Sequence, residues 1–201
     1  FDTMPRVDPP AWRSPDTAAQ LRDIMLTTAG LWLFDDVHVY RYLPRGRAAM
    51  PVTCAYGEGS WKNMCLNNSY VRDIGVYHET VYPVYSSFHP AMMCDGTTGR
   101  CVPLSLPGCP WKETRLTAVH VDEELWRVVC GVATWTNGTW RGRLFRRRRE
   151  REGEVYELCR GLPAGKVTES IARHHGIYAA AGTFAGVYLS EDGLLWDEMG
   201  N

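Results

Sequence analysis

Between ELWRVVCGVATW and TWRGRLFR, the chain reverses direction over Thr136-Asn137-Gly138-Thr139. Asn and Gly tolerate the positive φ angles of a type I′ turn, so this pair is the strongest short-range hairpin signal in the sequence. The strands on either side are therefore expected to be antiparallel neighbours. Other stretches carry the same β character, among them PVTCAY, NSYVRDIGVYHETVYPVY and TRLTAVHV, separated by Gly, Pro, Asn and Asp. A second tight connection is VDEE at 121–124. From Leu31 the period is two: Trp32, Phe34, Asp36, His38, Tyr40 and Tyr42 face one way, and Leu33, Val37, Val39 and Arg41 the other, which predicts one long strand.

Two segments read instead as helices. SPDTAAQLRDIMLTTAG has Pro and Asp near its start, apolar residues at helical spacing and a closing Gly. RRRREREGEVYELCRGLPAG offers Val155, Leu158 and Leu162 as a stripe before Gly161-Leu162-Pro163. Many antiparallel strands with short connections must avoid open edges, and closure into a cylinder is the simplest way. The expected fold is mainly β, an eight-stranded antiparallel up-and-down barrel with a short N-terminal helix and one late helix. The expected organisation is an irregular Pro-rich segment at 1–13, a barrel domain at 14–170, and a C-terminal extension at 171–201 serving as an added strand or lid.

Twenty-two basic and 23 acidic residues give a net charge of −1, which favours neither nucleic acid nor an anionic membrane as partner. No apolar run approaches the roughly 20 residues that a spanning helix needs. Seven Cys and eight Trp among 201 residues suggest a secreted, disulfide-bonded chain. Sequons at Asn67 and Asn137 agree, and the opening FDTMPRVDPPAWRSP reads as a chain whose signal peptide has been removed. Cys94 with Cys101, and Cys54 with Cys65, each bracket a short loop that a disulfide can close, and an odd thiol remains.

Gly30-Leu31-Trp32 after a short helix resembles the first signature of the lipocalins, where the indole plugs one barrel end. HVDEELWRVV is similar to a loose second signature around Asp122, and LFRRRRE supplies the late Arg of the third at Arg146 or Arg147. Within the family the likeness is greatest to tick salivary lipocalins or the alpha-1-acid glycoprotein group. The resemblance implies a guanidinium stacked on Trp32, a Cys54–Cys159 disulfide, and a secreted carrier of a small hydrophobic or amphipathic ligand.

Within such a barrel, Phe34, Asp36, His38 and Tyr40, with Tyr77 and Glu79 on a second strand and Trp126 on a third, are the candidate ligand contacts. Asp36 and Glu79 would meet an amine, because a buried carboxylate needs a cationic or hydrogen-bonding partner. An alternative is a secreted glycoprotein that binds a partner protein through its outer surface, and a third is a Cys-dependent isomerase. The Arg146–Arg151 run invites a polyanion, but Glu150, Glu152 and Glu154 cancel much of its field. His174-His175 with His89 or His120 lacks metal-ligand spacing, so neither metal nor cofactor is expected. Ser190-Glu191-Asp192-Gly193-Leu194-Leu195-Trp196 resembles a shortened Asp-box turn of β-propellers; one copy builds no propeller, and Asp192-Gly193 is expected simply to turn the chain.

Overall fold

A computed structural model describes residues 13–14, 17–18, 23–27, 30–34, 39–43, 47–52, 71–85, 89–95, 101–150 and 153–200. Within 13–52, side chains are described at Leu26 alone. A short pair, β1 (Arg13–Ser14) and β2 (Thr17–Ala18), precedes four four-stranded antiparallel sheets that follow one another along the chain. The first holds β3 (Asp23–Thr27), β4 (Gly30–Phe34), β5 (Val39–Leu43) and β6 (Arg47–Val52). The second holds β7 (Val71–Tyr77), β8 (Thr80–Tyr85), β9 (Met92–Asp95) and β10 (Cys101–Pro103). The third holds β11 (Thr114–Asp122), β12 (Arg127–Thr136), β13 (Thr139–Glu150) and β14 (Gly153–Leu158). The fourth holds β15 (Thr168–His174), β16 (Ile177–Gly182), β17 (Tyr188–Ser190) and β18 (Asp197–Glu198).

Every sheet is a meander in which each strand pairs with the next, and among the described residues no strand joins one four-stranded sheet to another. The eight-stranded barrel is thereby overturned. Edges are managed by stacking successive sheets face to face rather than by closing one, as in the radial repeats of β-propellers. The Asn137-Gly138 turn is present as read: Thr136 pairs with Thr139, with φ of 50° and 76° at the two turn residues.

Neither helix forms among the described residues. The N-terminal one is replaced by β3 and β4, with Leu26 opposite Leu31 and Thr27 opposite Gly30. The long strand from Leu31 is instead two strands, β4 and β5, with Trp32 opposite Arg41 and Phe34 opposite Val39. The late helix is the β13–β14 hairpin. Its Arg-rich strand faces its Glu-rich strand, with Arg146 opposite Glu157 and paired with it at 2.7 Å, and opposite charges across a ladder stabilise a sheet as well as they do a helix face. Among the described residues the helical structure is a single 3₁₀ turn, Trp111–Glu113.

The third sheet is covered on both faces. Val128, Cys130, Val132 and Phe145 pack with Tyr82, Val84 and Leu104 of the second sheet and its outgoing segment. Val129 and Leu144 pack with Tyr178, Phe184, Tyr188 and Trp196 of the fourth. Successive residues of a strand point to opposite faces, so burial on both sides explains why Val128–Ala133 reads as an unbroken apolar run. Between sheets, Arg72 donates to the Thr117 carbonyl and the Thr117 hydroxyl donates to the Thr168 carbonyl at 2.6 Å, linking β7, β11 and β15.

Candidate functional site

The first strands of the four sheets come together around a cleft of about 440 Å³. Leu26 of β3, Asp73 and Val76 of β7, Val119 to Asp122 of β11, and Ile171 and Arg173 of β15 line it, together with Glu123 and Glu124 of the β11–β12 turn. Leu26 is 80% exposed, although it stands on a wall of that cleft.

Asp122 organises the floor. Its side chain is buried, accepts the Tyr178 hydroxyl at 2.6 Å and the Leu125 amide at 3.0 Å, and lies 3.1 Å from Nε of Arg173. Burial pushes this carboxyl up, but the Tyr178 hydroxyl, the Leu125 amide and Arg173 together hold it below its ordinary value. The Tyr178 hydroxyl is itself pushed up to about 12, first by burial and then by the carboxylate that it faces. Burial lowers the His120 imidazole below its usual range, with Arg173 acting in the same direction against the pull of Asp122. His120 is therefore neutral at pH 7, and among the described residues four carboxylates around the cleft meet one permanent cation, Arg173.

The turns at this end of the cleft share an unusual backbone. His78, Trp126 and His175, one in each of the β7–β8, β11–β12 and β15–β16 turns, have φ of 50°, 56° and 46°. Left-handed φ in bulky residues persists where the surroundings over-determine it, and such residues cluster at ligand clamps. Trp126 is half exposed, and its ring lies 5.1 Å from that of His78 across the gap between the second and third sheets. His78 in turn contacts the buried Tyr77 edge-on at 4.6 Å. Arg173 reaches from the fourth sheet to Glu124 at 3.4 Å.

Three of the residues picked from sequence thus share one end of the array: Tyr77, Glu79 and Trp126. Their setting is not a barrel lumen: Glu79 and Trp126 sit in exposed turns, and Tyr77 lies beneath the Arg147 guanidinium, whose carbon is 4.4 Å from the ring centroid. Asp36 and His38 lie outside the described residues, as do the side chains of Phe34, Tyr40 and Trp32. The clasp expected from Arg146 or Arg147 across Trp32 belongs to the discarded barrel, and both guanidinium groups are engaged elsewhere. Arg147 also donates to the Tyr82 hydroxyl at 2.8 Å, and Arg146 donates to Glu157 at 2.7 Å and to the Asp192 carbonyl at 3.0 Å. Gly30 opens β4 rather than leading out of a helix. Arg173 was not picked from sequence: it carries no local motif, and it meets Asp122 only because β15 packs against β11.

Cys94 and Cys101, opposite one another on β9 and β10, form a disulfide. Cys159 is a free thiol that donates to the Gly193 carbonyl at 3.2 Å, so the Cys54–Cys159 bond is not made; Cys54 and Asn67 lie outside the described residues. Asn137 is exposed at its turn. The Asp-box-like run forms the β17–β18 turn. Asp192 accepts the Leu194 and Leu195 amides at 2.7 and 2.9 Å, Ser190 Oγ accepts the Gly193 amide at 2.8 Å, and Trp196 is buried beneath.

No family model matches the chain, and no curated protein matches it. Among solved structures, it resembles the extracellular domain of the putative one-component system BT4673 from B. thetaiotaomicron, with a TM-score of 0.53 and 12% identity over 85% of this chain and 21% of that one. The extracellular domain of the putative hybrid two component system BT4673 from B. thetaiotaomicron gives a TM-score of 0.51 and 10% identity, with the same coverage. This chain therefore spans about a fifth of the length of those domains. A thermostable family-43 glycoside hydrolase aligns at a TM-score of 0.47 and 12% identity over 90% of this chain and 72% of that one, which carries no argument. At such identities the likeness concerns fold alone, and with the separate sheets it replaces the lipocalin resemblance by a propeller-like array.

Proposed function

We propose that this chain is an extracellular binding module that takes a small amine-bearing molecule at the end of the array where Trp126 shares a turn with Glu123 and Glu124 of the acidic cleft. The observation that carries this reading is the half-exposed indole of Trp126, held at positive φ against His78 in the turn that also carries Glu123 and Glu124, two of the four carboxylates that line the cleft. A π face with neighbouring carboxylates suits a cation, which the ring quadrupole and the fixed charges attract together. The disulfide at Cys94–Cys101 supports an oxidising compartment. Catalysis by the two buried thiols is disfavoured: burial pushes Cys130 far up and Cys159 up to about 12, whereas a nucleophilic thiol needs the opposite shift.

Calorimetric titration with choline, spermidine and tyramine, and with 3,3-dimethyl-1-butanol as the neutral isostere of choline, tests the reading. An amine should bind saturably while the alcohol does not. Trp126→Ala should weaken that amine by about tenfold, the scale of a partly desolvated cation–π contact. Equal binding of the alcohol, or no binding by any amine, would refute the proposal.

A further inference from the structure

The two faces of the fourth sheet differ in what covers them. Tyr178, Ala180 and Tyr188 point towards the third sheet and are buried in the core shared with it. The residues between them point the other way. Strand register sorts these into rows. Ala172 of β15 stands opposite Ala179 of β16, Ala179 opposite Leu189 of β17, and Leu189 opposite Asp197 of β18. In the next row His174 stands opposite Ile177. Residues paired across neighbouring strands share a face, so these side chains form one continuous surface.

That surface is open. Ala172, His174 and Asp197 are exposed, and Ala179 and Leu189 are half-buried. Ile177 is 38% exposed, and Leu195 and Met199, from the segment that forms β18 and its turn, are 57% and 54% exposed. Ile177, Leu189 and Leu195 line a depression of about 510 Å³ whose other walls include Glu191 and Asp197. The third sheet, built on the same alternation, is covered on both faces by its neighbours. The outer face of the fourth therefore continues an established mode of stacking, and a contiguous exposed apolar surface of this kind marks an interaction site. Its centre is small at Ala172 and Ala179, which lets a second sheet approach to the roughly 10 Å of face-to-face packing.

We infer that two copies of this chain pair through this face, fourth sheet on fourth sheet. A two-fold pair uses one patch twice, so the patch must complement itself. Here the carboxylates of Glu191 and Asp197 lie on the β17–β18 side and the His174 imidazole on the β15 side. A two-fold axis along the strands lays β15 over β18 of the second copy and β16 over its β17. Each acidic edge then meets the imidazole edge, and the small Ala179 meets the larger Leu189, so the two surfaces interdigitate. An axis across the strands would set acid on acid, which is unfavourable. One four-stranded face is small for a dimer, so the dissociation constant is on the order of 10 μM. The pairing is independent of the amine reading and stands if that one fails.

Sedimentation velocity of the whole chain, from about 1 to about 300 μM, tests the inference across the expected constant. The wild type should pass from monomer to dimer over that range and form nothing larger, because a two-fold contact closes on itself. Ala179→Arg places a charge at the centre of the face and should weaken the dimer by at least about a hundredfold, whereas Ala164→Arg, in an exposed loop off the face, should leave it unchanged. Hydroxyl-radical footprinting of the wild type gives a reading that does not depend on the variants folding: Ile177, Leu195 and Met199 should be oxidised less at the upper concentration than at the lower, and the exposed Trp126 equally at both. A monomer at every concentration, a series of larger species, a dimer that survives Ala179→Arg, an equal loss in Ala164→Arg, or unchanged oxidation of the three face residues would each overturn the inference.

Discussion

Asp122→Asn isolates the group that ties the third sheet to the fourth. The substitution keeps the shape and one acceptor for the Leu125 amide, but replaces the oxygen that receives the Tyr178 hydroxyl at 2.6 Å and faces Arg173 at 3.1 Å. The carboxylate side chain is 2% exposed and that of Arg173 18%, so water does little to replace the lost partner. Losing a charge-assisted hydrogen bond while leaving a mostly buried guanidinium beside an amide costs about 2–3 kcal/mol. For a chain of this size that corresponds to a melting temperature lower by roughly 4–10 °C. The pH dependence sharpens the test. The folded-state pKa of Asp122 lies below its ordinary 3.8, so its stabilisation is complete above the unfolded value and is lost as pH falls through the folded one. Thermal melts followed by circular dichroism should therefore show the full gap between wild type and Asp122→Asn at pH 6–7, and a narrowing gap below about pH 4. Identical melting at pH 7, or a gap that persists unchanged at pH 3, would refute the reasoning.

Two further outcomes follow from close packing. Gly161 has φ 91°, and a Cβ there would fall 1.8 Å from the Trp196 carbonyl oxygen, so Gly161→Ala should destabilise by more than about 2 kcal/mol in urea unfolding; a change under about 0.5 kcal/mol would contradict the packing of this loop on the β17–β18 turn. Under native conditions iodoacetamide should alkylate the half-buried Cys109 well before the buried Cys130 and Cys159, read by peptide mass spectrometry, and early labelling of Cys130 would contradict its place in the core.

What the sequence made legible was local. Asn137-Gly138 demands positive φ at two successive residues, and few structures other than a tight hairpin supply it. Asp192-Gly193 likewise turns the chain as read, because its hydrogen bonds close within residues 190–195. Periodicity failed where two patterns fit. Val155, Leu158 and Leu162 suit a helical stripe, yet Val155 and Leu158 belong to a strand whose Glu157 is drawn to Arg146 and Arg148 across the hairpin. In the same way, alternation from Trp32 to Tyr42 continues across a reversal of the chain, so two short strands imitate one long one. Closure was not encoded in any segment. A meander whose sheets are each complete at four strands has the same local pattern as one whose strands join a single cylinder, and the difference lies in which faces stack.

That stacking also explains how a chain of net charge −1 carries a cleft lined, among the described residues, by four carboxylates and one guanidinium. In a four-stranded meander the first and second turns project to opposite ends, so their compositions are free to diverge. The first turns place Glu79, Glu123 and Glu124 at one end, and the last two line the cleft with Asp122. The strand that follows the second turn of the third sheet carries Arg141 and Arg143 near its start, at the other end. Charge averaged along the sequence cancels, whereas charge sorted by turn does not. The balance of 22 basic and 23 acidic residues therefore excludes a strong overall field while permitting strong local ones, and it is the local field that a small ligand meets.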